Sequence, residues 1–154
     1  MRRNITYNRY IKLIFLVLFL IVYQAFTGVY SFLSPLVGVF FVYISNRFKY
    51  GGFDVYLAFL YLCFFELSHG FYLFSMAFLF IIFYYLIKPK IASAFEGESW
   101  TVALSVVIAY IGLYLVNVFF SYLLDRPLLN FSFIYFFYIC IDIILANLLL
   151  RGSR

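Results

Sequence analysis

Residues 13–45 carry no charged side chain across 33 positions. As one straight helix that run would extend about 50 Å, well beyond the roughly 30 Å hydrocarbon core of a bilayer. It therefore has to fold back on itself, and Thr27, Gly28 and the segment 31–35 supply the turn residues. Residues 53–87 pose the same length problem, and their break is the sequence Glu66-Leu67-Ser68-His69-Gly70. The other polar breaks fall at 46–52, 88–99 and 125–130.

These breaks predict six helices, at about 11–30, 32–45, 53–67, 71–87, 100–124 and 131–150. The composition suits lipid as the solvent: 68% of the residues are hydrophobic and 11% are charged, against roughly 25% charged in a soluble domain. The expectation is an all-α membrane protein, a six-helix transmembrane bundle forming a single domain over residues 1–154. The second and third helices are short for a full crossing. They either thin the bilayer or stop inside the protein, and a five-span variant would make one of them re-entrant. The apolar run after Arg2 and Arg3 lacks small residues at a cleavage position around Gln24, Ala25 and Phe26, so it reads as a retained first helix.

Charge placement sets the orientation. With the N-terminus in the cytoplasm, Arg2, Arg3, Arg9, Lys12, Arg47, Lys49, Lys88, Lys90, Arg151 and Arg154 all fall on the cytoplasmic side, and Arg126 alone falls outside. An even number of crossings between basic clusters follows, with both termini cytoplasmic. The net charge of +5 thus reports topology and gives no reason to expect nucleic acid. Tyr7, Tyr10, Tyr43, Tyr50, Tyr84, Tyr85 and Trp100 sit near the predicted cytoplasmic borders, where amphipathic rings anchor.

Ionisable groups inside a span are costly, so each is a candidate site. Asp54 opens the third helix near Arg47 and Lys49, as an interfacial ion pair or a helix N-terminal charge. Glu66 and His69, at i and i+3, share a helical face at the outer end of the third helix. Such a pair can hold a metal in carboxylate bundles, but those need two pairs and this chain has one histidine. Capping of a tight turn, with Gly70 supplying positive φ, is the competing reading and the one adopted. Asp142, near the middle of the sixth helix, is expected to face the interior and bond a tyrosine hydroxyl or another polar group. Asn147 lies one turn further in, and Asn117 lies in the outer half of the fifth helix. Structural polar packing and a partner or transport role remain two readings of Asp142. Ser105, Ala109 and Gly112 have the spacing of a close helix contact. Cys63 and Cys140 read as small core hydrophobes.

No nucleophile–base set, phosphate loop or metal-spaced cysteine pair is visible, so the expectation is a non-enzymatic chain with no cofactor and no metal.

The middle of the chain resembles MreD, a small membrane protein of the bacterial rod-shape (elongation) complex. Pro35 opens a short apolar helix ending in Tyr43, and a basic, glycine-containing turn follows (Arg47, Lys49, Gly51, Gly52). The next apolar helix ends in an acid with glycine four later, Glu66 and Gly70, where the family usually has Asp-x-x-x-Gly. There are departures: Leu62 and Phe74 stand where family members often carry glycine. The resemblance implies a fold like that of the six-helix substrate subunits of energy-coupling-factor transporters. It also implies a scaffold in the bacterial inner membrane that binds an MreC-like protein and the cell-wall synthase complex and supports peptidoglycan synthesis. A vitamin-binding transport subunit is the alternative, although the first helix has one alanine, Ala25, and lacks the docking motif Ala-x-x-x-Ala. An accessory subunit of another membrane complex is a third reading.

Overall fold

The computed structural model describes residues 3–94, 97–127 and 132–152. Phe131, the predicted start of the sixth helix, and the terminal Arg2 and Arg154 lie outside the described residues. The elements are all helical, with no strand among the described residues. They are α1 (Arg3–Val29), α2 (Val37–Arg47), a 3₁₀ turn (Phe48–Tyr50), α3 (Phe53–His69), α4 (Ser75–Ile82), a π-helical turn (Phe83–Ile87), α5 (Lys88–Ala94), α6 (Glu98–Leu123) and α7 (Ile134–Gly152).

α2 and α6 form the centre. α2 packs on α3, α6 and α7, α6 also carries α4, and α1 leans on α3. Phe41, Ile44, Phe65, Phe83 and Val106 are fully buried where these helices meet. Gly38 makes the α2–α6 approach close: a Cβ there would stand 2.6 Å from Val106 Cγ1. On α6, Ala109 is fully buried and Ser105 nearly so, while Gly112 faces Leu79 of α4. The small-residue spacing read from the sequence is thus a packing seam within the fold.

α6 contains the one helix among the described residues that is long and apolar enough to cross a membrane, Ser99–Leu123; Val17–Val29 and Ile134–Leu149 are shorter apolar helices. The outside of the bundle is apolar nonetheless. Phe15, Val29, Leu67, Tyr122 and Phe133 are among many large side chains left exposed.

Four boundaries differ from the sequence expectation by four residues or more. The first helix starts at Arg3 and not at 11. The second helix starts at Val37 and not at 32, because Leu36 sits in the left-handed region (φ 55°) and residues 32–36 are not helical. Pro35 therefore precedes the helix and does not open it. α4 starts at Ser75 and not at 71, because Phe74 is also left-handed (φ 68°). Residues 88–94, read as a polar loop, are helical and continue from α4. Pro89 lacks the N–H that would bond Tyr85 and crowds its carbonyl. The π-helical turn just before it absorbs the misfit, the Lys88 N–H reaching back to Phe83 O.

Candidate functional site

Two short helices begin inside the bundle, and both begin in the same way. The first amides of any helix lack intrahelical partners. At α2 they are answered by Asp142 of α7, whose Oδ2 accepts from the Gly38 N–H at 2.8 Å and from the Tyr110 hydroxyl at 2.8 Å, while Oδ1 accepts from the Ser34 hydroxyl. At α4 they are answered by Glu66 of α3. Its Oε2 accepts from the Phe74 N–H at 2.8 Å, and its Oε1 accepts from the Ser75 hydroxyl at 2.7 Å and the Met76 N–H. Each acid is fully buried. Each receives at least three donors, one of them a serine hydroxyl, and each lies at the positive end of a helix dipole. The residue preceding each helix is a large apolar one held left-handed, Leu36 or Phe74. That conformation costs a non-glycine residue about 1–2 kcal/mol.

The linker ahead of α2 is pinned from three helices. Tyr23 of α1 donates to Ser34 O at 2.6 Å, Tyr61 of α3 to Pro35 O at 2.7 Å, and Tyr138 of α7 to Ser31 O at 2.5 Å. Non-helical backbone buried among helices must have its carbonyls satisfied, and these hydroxyls do so. The corner ahead of α4 is tied to α6: Asn117 Oδ1 accepts from the Tyr72 N–H at 2.8 Å, and its Nδ2 donates to Ser75 Oγ at 3.1 Å. Gly70 closes α3 in the left-handed conformation (φ 73°), its N–H bonded to Glu66 O.

The sequence candidates fall into place unevenly. Pro35 and Asp142 share one corner, and Glu66, Gly70 and Asn117 share the other. Asp142 does bond a tyrosine on another helix. Asn147 takes no part, donating to Ile143 O of its own helix at 3.0 Å. Glu66 and His69 diverge. Glu66 turns to the next helix, while His69 tilts over Phe65 at 4.4 Å and lies 3.4 Å from Gln24 Nε2. Among the described residues no three metal-ligating side chains converge. Asp54 is exposed in the first turn of α3 with no ion pair among the described residues, so the helix-terminal reading describes it. Cys140 is exposed and Cys63 half-buried, which corrects their reading as core residues; the α7 face bearing Cys140 turns outward.

One feature was missed from the sequence altogether. A cavity of about 730 Å³ lies between α2, α5, α6 and α7, within the usual range for a small-molecule site. One end carries Arg47, Lys88 and Asn46; Val39, Phe40, Val102 and Ala146 line the apolar part. Lys88 Nζ donates to Ser45 O and stands 5.4 Å from the Tyr84 ring centre. The Arg47 guanidinium lies over Tyr43 at 5.7 Å.

No family model matches the chain, and no curated protein or solved structure matches it.

Proposed function

We propose that the chain is a non-enzymatic, multi-pass membrane scaffold of the MreD type. In this reading it sits in the bacterial inner membrane and binds an MreC-like protein, holding the cell-wall synthase of the elongation complex in place. The exposed apolar exterior faces lipid, and the basic residues Arg47, Lys49, Lys88 and Lys90, at the end of α2, in the turn after it and at the start of α5, face the cytoplasm. α1, α2, α3, the run from α4 to α5, α6 and α7 are the six crossings. α2, at 11 residues about 16 Å long, crosses only part of the bilayer, and its linker lies at membrane depth. Only 39% of the most apolar window of α6 is buried, which favours a lipid-facing span over a soluble core helix.

The observation that carries the family reading is the backbone at Phe74. Members of that family often have glycine at this place, and here the residue has φ 68°. A left-handed position is where glycine is at home. The acid and the glycine of the shared motif also have one joint task in this chain. Glu66 caps the next helix while Gly70 ends the previous one.

The test is affinity purification of the full chain in mild detergent from a rod-shaped bacterium, with partners identified by mass spectrometry. The expected result is recovery of a periplasmic coiled-coil MreC-type protein and a glycosyltransferase–transpeptidase pair. Recovery of a transporter ATPase in their place would reverse the reading in favour of a vitamin-transport subunit. A reporter fused after Arg154 tests the membrane arrangement separately and is expected on the cytoplasmic side.

A further inference from the structure

We infer that the cavity between α2, α5, α6 and α7 is a binding site for an anionic membrane amphiphile, its phosphate headgroup on Arg47 and Lys88 and its acyl tail along α2. This goes beyond the scaffold reading and rests on it only for placement in a membrane.

The lining is segregated along the axis of α2. From Arg47 back to Leu36 the helix rises roughly 16 Å, and both residues line the cavity. The cations and Asn46 are at one end. Toward Leu36 the lining is apolar, with Val39 and Phe40; Val42, Val102 and Ala146 line the stretch between, with Thr101 and Ser105 beside them. A free inorganic anion would use the first part and leave the second empty; a lipid uses both.

Among the described residues the charge is unanswered, and no acid among them lines the cavity. Among the described residues Arg47 contacts only the Tyr43 ring, which leaves its five N–H donors available. Lys88 gives one donor to Ser45 O and a longer one to Asn46 Oδ1 at 3.4 Å, so its ammonium keeps donor capacity. Two cations lining one cavity, with no carboxylate there among the described residues, favour a doubly accepting group such as a phosphate, with arginine able to take it in a bidentate fork. Basic pockets between helices on the cytoplasmic side of a membrane have this chemistry.

The test reconstitutes the full chain in vesicles and measures the immobilised fraction of spin-labelled phosphatidylglycerol against spin-labelled phosphatidylcholine. The expected preference for the anionic lipid is about thirtyfold, from two basic side chains. It should fall to parity in R47Q/K88Q. It should persist in K49Q/K90Q, which removes two charges outside the cavity. Equal retention of both lipids by the unaltered chain overturns the inference. So does a preference that survives R47Q/K88Q, or displacement of the lipid by millimolar inorganic phosphate, which would make the site one for the free ion. A chain that fails to float with vesicles refutes the membrane placement itself, which keeps the two failures apart.

Discussion

Replacing Glu66 by glutamine probes the α4 cap most directly. The side chain keeps its length and shape, and only one acceptor oxygen changes. The amide oxygen can still serve the Ser75 hydroxyl and the Met76 N–H, which meet on Oε1. The NH₂ then stands where Oε2 receives the Phe74 N–H, so two donors face each other at about 2.8 Å. The lost bond to a charged acceptor costs about 1.5–3 kcal/mol. Losing negative charge at the start of α4 adds about 0.5–1 kcal/mol. The expected loss is therefore about 3 kcal/mol. It is read from sodium dodecyl sulfate titration in mixed micelles, followed by far-ultraviolet circular dichroism. Ser68→Ala is the control, since that hydroxyl is exposed and bonds only Phe64 O one turn back; it should change stability by less than about 0.5 kcal/mol. If Glu66→Gln also falls within that margin, the carboxylate does not cap α4 and the account of the corner fails.

The other expectations use the same unfolding assay. Phe74→Gly should be more stable than Phe74→Ala by about 1 kcal/mol, the reverse of their order inside a helix, because alanine retains the left-handed strain and glycine does not; alanine equal or better refutes it. Asp142→Ala should lose about 3 kcal/mol, since the Gly38 N–H and the Ser34 and Tyr110 hydroxyls all lose their buried acceptor. Asn147→Ala, one turn along and bonded only within its own helix, should lose less than about 1 kcal/mol; equal losses would show that the Asp142 contacts are not special. Gly38→Ala should lose about 2 kcal/mol, because the new methyl meets the β-branched Val106 and the Asp142 carboxylate at once; a neutral result would mean that α2 and α6 are not in close contact.

What could be read from the chain alone was local or compositional. Helical class follows from long apolar runs, and the turn at Glu66–Gly70 follows from an acid, a serine and a glycine in sequence order. Asp142 was legible as an anomaly, because a carboxyl in an apolar run has to find donors somewhere. Its donors were not legible. Ser34 lies 108 positions away and Tyr110 lies 32 away on another helix, and nothing in a pattern of apolar residues says which hydroxyl meets which acid. The late start of α2 was missed for a similar reason. Leu36 carries no turn signal of its own, and its left-handed backbone is imposed by Asp142 and the surrounding tyrosines. The helix through Pro89 was missed because proline usually stops a helix, and the π-helical turn that accommodates it has no sequence mark. The cavity could not be seen because its cations are 41 positions apart (88 − 47) and come together only when α2 and α5 pack.

The two acid latches differ in when they can close. Met76 follows Glu66 by 10 positions, so the second corner is completed almost as soon as it leaves the ribosome. Gly38 waits for Asp142, 104 positions downstream on α7. Until α7 is made the opening amides of α2 stay unanswered by their final acceptor, and the centre of the bundle stays provisional. That helix is therefore the keystone: a nascent chain halted before it carries α1 to α6 but cannot lock the helix around which they are arranged.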